Sequence, residues 1–146
     1  MRLLILLSLC FISLFVSAQR IVTGKVVDEF ELLPMPGVRI LSRDTLELGT
    51  TDLNGDFKVE LPQETHALLV SSVGMEWASI KVPANCNRLE IIMLADVIYD
   101  FVTVRSINRR RYKRFKSLIV KHKKAFAKGF FTSTSPCSTY TFENTK

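Results

Sequence analysis

At 146 residues, the first stretch of which reads as an address label, the chain has room for one domain. Its net charge of +6 conceals a division: Gln19 to Val104 carries 7 Lys and Arg against 13 Asp and Glu, net −6, whereas Arg105 to Lys128 carries 11 basic residues and no acid. Asymmetry of that size between neighbouring segments marks an interaction surface and excludes a charge pattern set by the fold alone.

The opening, MRLLILLSLCFISLFVSA, has a basic residue at Arg2, an apolar run from Leu3 to Val16, and the small residues Ser17 and Ala18. It reads as a secretory signal, residues 1–18, cleaved after Ala18 so that the chain is exported and resides in the periplasm or at the outer membrane. A spanning helix wants about 20 apolar residues, and polar sequence begins at Gln19. Cys10 follows Leu9, where lipid attachment would want a small side chain, so it reads as a cysteine in an apolar segment. Two cysteines then remain, Cys86 and Cys137, in a compartment that permits oxidation. They are a candidate disulfide, with two buried thiols as the alternative.

From Arg20 to Val104 short apolar runs of period near two alternate with turn residues about every ten positions, the pattern of an all-β sandwich or barrel. The runs are IVTGKVVD, VRILS, a strand from near Leu46 to the turn LNGD, DFKVELP, HALLVSSV, WASIKV, RLEIIML and DVIYDFVTV. Asn54-Gly55 between apolar runs predicts a hairpin with a type I′ turn. In DFKVELP, Phe57, Val59 and Leu61 alternate toward the core. Seven or eight strands result, without a helical window among them.

Beyond Arg105 the period changes. Ile107, Phe115, Leu118, Ile119, His122 and Phe126 recur at three- and four-residue spacing, which predicts one amphipathic helix over 105–129 with Gly129 as its C-cap. Residues 130–146 mix aromatics with Ser and Thr and read as an extended arm. The division is thus a leader at 1–18, a sandwich at 19–104, a basic helix and an arm.

Four pieces in order, VTGKVVD, LPMPGVRI, GTTDLNGDFKVELP and LLVSSVGME, resemble the carboxypeptidase regulatory-like domain. That resemblance spans Val22 to about Met93 and implies a transthyretin-like (prealbumin-like) β-sandwich of seven to eight strands, here followed by a C-terminal basic helix. In Bacteroidetes-type bacteria such domains are common at the N-terminus of TonB-dependent outer-membrane receptors and in short secreted proteins. In carboxypeptidases the domain lies beside the catalytic one and supplies no metal ligand or catalytic group. LEIIMLADVIYDFVTV is similar to the family's final strand and the acidic, apolar link that follows it in receptors; this chain turns into a basic helix instead.

An enzyme finds little to work with. His66 and His122 share no metal-ligand spacing such as HExxH, and no GxSxG elbow is present. Asp52, Asn54 and Asp56 imitate the first ligands of a calcium loop, but Phe57 and Gln63 stand where Gly and Glu are needed. No catalytic group, cofactor, metal, nucleic acid or small-molecule substrate is expected, and a hydrolase-related or metal-dependent carboxypeptidase-like function ranks last. The first expectation is a cell-envelope scaffold whose helix binds through Arg109, Arg110, Arg111, Lys113, Arg114, Lys116, Lys121, Lys123 and Lys124. The partner is an acidic envelope protein or an anionic lipid or lipopolysaccharide surface. The second is an accessory subunit whose helix packs on its own sandwich.

Overall fold

In the computed structural model, which describes residues 19–145, the first strand, β1 (Gln19–Asp28), is central to everything that follows. It pairs antiparallel with β4 (Asp56–Pro62) and parallel with β7 (Arg88–Met93), giving a three-stranded sheet of order β4-β1-β7. The second sheet has order β3-β2-β5-β6-β8, from β2 (Arg39–Ser42), β3 (Glu47–Thr50), β5 (Ala67–Ser71), β6 (Ala78–Lys81) and β8 (Thr139–Thr141). The signal read at residues 1–18 lies outside the described residues.

Alternation fills the space between the sheets. Val22 and Val26 of β1, Phe57, Val59 and Leu61 of β4, Ile40 of β2, Leu68 and Val70 of β5, and Leu89, Ile91 and Met93 of β7 form one core. Gly24 leaves no room for a side chain: a Cβ there would lie 2.5 Å from the Leu89 carbonyl oxygen and 2.5 Å from the Phe57 ring. Gly24→Ala must push β7 or that ring aside, so it is expected to cost about 2 kcal/mol, read as a lowered urea midpoint.

The far face of the three-stranded sheet is also covered. Val27 and Ile92 point away from the first core and, with Leu32 and Leu94, meet Leu118, Ala125 and Phe131 in a second cluster. Leu118 and Ala125 belong to the one described helix, α1 (Val104–Ala127). The architecture is therefore sheet, sheet, helix. The unbroken apolar run Ile91-Ile92-Met93-Leu94 is the signature of a strand buried on both faces.

Helix α1 starts at Thr103, whose side chain accepts from the Ser106 amide. It ends where Gly129, at φ +80°, lets the Gly129 and Phe130 amides donate to the Phe126 and Ala125 carbonyls, a Schellman ending.

Three sequence expectations change. The LNGD turn does not make a hairpin, since β3 and β4 belong to different sheets. Gly55 has φ +71° and Asn54 is not in the left-handed region, so the turn is not type I′. Asp52 closes it by accepting the Asn54 and Asp56 amides, and the Val26 amide donates to the Gly55 carbonyl, which seats the turn on β1. Second, DVIYDFVTV forms no strand; the bridge from Ala95 to Met75 lies just before it. The edge it needed is occupied: β6 takes β8, and at β7 the Tyr140 hydroxyl accepts from the Ile92 amide at 2.6 Å. Third, the inward face of α1 is only partly the one expected: Leu118 and His122 face inward as predicted, but Phe126 and Ile119 do not and Ala125 does. Ile119 is 68% exposed, whereas Leu118, His122 and Ala125 are buried.

Candidate functional site

Helix α1 divides its basic residues between two faces. On the inner face Arg111 directs Nη2 to Glu76 Oε2 at 3.0 Å, while its Nη1 donates to the Glu143 carbonyl and the Thr145 hydroxyl. Arg114 bridges two acids, Glu76 Oε1 at 3.2 Å and Glu29 Oε1, and also donates to the Ala95 carbonyl at 2.7 Å. Lys121 Nζ meets the other Glu29 oxygen at 2.8 Å. Glu29 follows β1 and Glu76 lies between β5 and β6, so both sheets send a carboxylate to the same side of the helix.

Glu29 is the centre of this network. Burial alone would raise its pKa, but hydrogen bonds from Arg114, Lys121 and the Ala95 amide outweigh that and hold it below the ordinary 4.5. At Arg114 burial acts against the charge, and Glu29 overrides it, holding the guanidinium above its ordinary value. A buried carboxylate with two cations and an amide is a clamp.

A second anchor lies further along. His122 is buried with its Nε2 3.1 Å from Glu90 Oε2 and its ring 4.8 Å from that of Phe131. Neither ring nitrogen has a hydrogen bond of good geometry, so the contact with Glu90 is close but poorly aligned. Glu90 also accepts from the Thr132 amide and, at 2.8 Å, the Thr132 hydroxyl. Cys86 and Cys137 are joined as a disulfide with Cα atoms 5.6 Å apart, tying the arm to the loop before β7.

The outer face is different. Arg105, Arg109, Arg110, Lys113, Lys116, Lys123 and Lys124 are all exposed. Among the described residues none of the seven takes part in an ion pair. Lys116 lies 4.7 Å over the Tyr112 ring, and Ile119 and Val120 are exposed beside these cations. Of the nine residues proposed from sequence to bind a partner, Arg111, Arg114 and Lys121 thus face the sandwich, and the other six face solvent.

A cleft of about 680 Å³ opens between β6, the segment after β7, α1 and the arm, lined by Trp77, Tyr99, Arg111, Phe115 and Phe142 among others. Its cation is Arg111, already engaged by Glu76, Glu143 and Thr145, so it offers little to orient an anion. At the calcium-like segment one Asp52 oxygen caps its own turn and Asp56 pairs with Lys25 at 3.0 Å. Among the described residues no group of three candidate ligands could hold a metal ion. His66 is exposed at a strand end.

Sequence reasoning passed over Glu29, Glu76 and Glu90. The first two sit among turn residues and look like solvated punctuation. Glu90 did carry a signal, as a lone acid inside RLEIIML: an acid within a doubly buried strand requires a partner.

The family model for the CarboxypepD_reg-like domain matches residues 22–104, ending at the first residue of α1. The chain is 29% identical over 89 residues to TonB-dependent receptor P3 of Formosa agariphila, an alignment covering 60% of this chain and 9% of the receptor. It thus matches less than a tenth of that protein. Among solved structures it is similar to the C-terminal domain of the PapC usher at 15% identity and a TM-score of 0.35, over 52% of this chain and 98% of that one.

Proposed function

The chain belongs to the CarboxypepD_reg-like domain family, and from that premise we propose that it is a non-catalytic docking module of the cell envelope. The sandwich is the rigid scaffold, and the outer face of α1 binds an anionic partner through Arg109, Arg110, Lys113, Lys116, Lys123 and Lys124. The envelope setting draws on the similarity to a TonB-dependent receptor.

One observation carries this reading: the helix holds its inner cations against Glu29 and Glu76 and leaves seven outer ones without a counter-charge among the described residues. Like charges three and four positions apart repel along a helix. An anionic surface laid against that face relieves the repulsion, and the inner clamp fixes the face in place beforehand, so little ordering cost remains for binding.

Charge reversal at Arg109, Arg110, Lys113 and Lys116 to Glu is expected to abolish salt-sensitive partitioning into envelope fractions while leaving the far-UV spectrum unchanged. Unchanged partitioning would instead favour the second reading, an accessory subunit whose helix serves only to cover the sandwich. The Glu29 clamp is the observation that speaks for that alternative.

A further inference from the structure

The segment between β7 and α1, with the first residue of the helix, carries large exposed apolar side chains close together in sequence. Val97 is 40% exposed, Ile98 84%, Phe101 107% and Val104 48%. Scattered apolar residues on a surface are ordinary, but four within eight positions leading into a cationic helix face are not. Phe101 is also held at φ +56°, a left-handed conformation that disfavours a bulky L residue. The chain thus keeps a phenylalanine fully in solvent in a conformation with its own cost.

We propose that the anionic partner of α1 is the surface of a phospholipid bilayer, with Ile98 and Phe101 entering beneath the phosphates while Arg105, Arg109 and the other outer cations lie along the headgroups. This rests on the reading of α1 given above and identifies its partner. An acidic protein needs only the cations to be held in place. A bilayer uses both features, since an interfacial element gains from apolar side chains at the acyl boundary and from basic ones at the phosphates. Asp96 and Asp100 oppose the contact, but the seven outer cations outnumber them. Among the described residues no helix is long and apolar enough to cross a membrane.

Sedimentation with vesicles tests it, using phosphatidylcholine with and without phosphatidylglycerol and the full chain throughout. Residues 1–18 are common to wild type and variants, so differences report on the patch. The wild type is expected to bind the anionic vesicles and to release with salt. I98S/F101S is expected to bind them about tenfold more weakly with its urea midpoint unchanged. F101W is expected to show a blue-shifted emission component on anionic vesicles that the wild type lacks. Equal binding by I98S/F101S and wild type would overturn the proposal while leaving the cationic helix intact as a docking face. Binding of the wild type to an acidic protein from the envelope but not to anionic vesicles would overturn it in favour of a protein partner. If the four-residue charge reversal changes neither vesicle nor envelope binding, the underlying reading of α1 fails as well.

Discussion

Cys137→Ser is expected to lower the stability of the folded chain by about 4 kcal/mol and its melting midpoint by about 15 °C. The bridge joins residues 51 apart in sequence, and closing a loop of that length removes this much conformational freedom from the unfolded chain. The arm beyond it supplies β8 to the five-stranded sheet and the Tyr140 hydroxyl to the Ile92 amide. Burial pushes the Tyr140 phenol above its ordinary value of 10.0, so it stays protonated at neutral pH and keeps donating to the Ile92 carbonyl. Thiol reductant should lower the wild-type midpoint to that of the variant and leave the variant unmoved. A loss below about 1 kcal/mol would mean that the arm's noncovalent contacts suffice and that the bridge acts on a chain already compact when unfolded.

Glu29→Gln is expected to cost about 3 kcal/mol, the effect of leaving Lys121 without its counter-charge and Arg114 with Glu76 alone. The side chain keeps its size, so packing is preserved and the loss falls on Arg114 and Lys121, whose side chains are only 22% and 24% exposed. The pH dependence gives a second readout. Because the Glu29 pKa is depressed in the fold, its stabilisation is present above the ordinary carboxylate value of 4.5 and disappears as pH falls from there through the folded value. Wild-type stability should therefore decline more steeply than that of the variant below pH 4.5. Parallel curves for the two proteins would show that the carboxylate's charge is not what holds the helix.

Much of the sandwich is legible in the order of residues because one strand face is buried and one is wet. In β4, Phe57, Val59 and Leu61 alternate with Asp56, Lys58 and Glu60, and period two is then enough. Legibility falls where a third layer intervenes. RLEIIML lacks alternation since α1 covers the face that would otherwise be wet, and a continuous run does not say what lies on its second side. The period gives the helix and, through Leu118 and His122, part of its inward face, but not the whole of its orientation. Apolar spacing alone favours Ile119 and Phe126, whereas the sandwich contributes Glu29 and Glu76, which draw Arg111 and Arg114 inward. Which cations face a partner depends on acids far off in sequence. The same holds for DVIYDFVTV, whose composition suits a strand but whose edge is filled by an arm more than thirty residues later.

The most direct measurement is a lysine-acetylation footprint of the full chain, read by mass spectrometry with and without envelope membranes. Lys121, paired with Glu29, should react slowly in both conditions. Lys113, Lys116, Lys123 and Lys124 should react readily in the free protein and become protected when membranes are added. Outer lysines that stay reactive in the bound protein, or a Lys121 as reactive as they are in the free one, would contradict a helix clamped on one face and docked by the other.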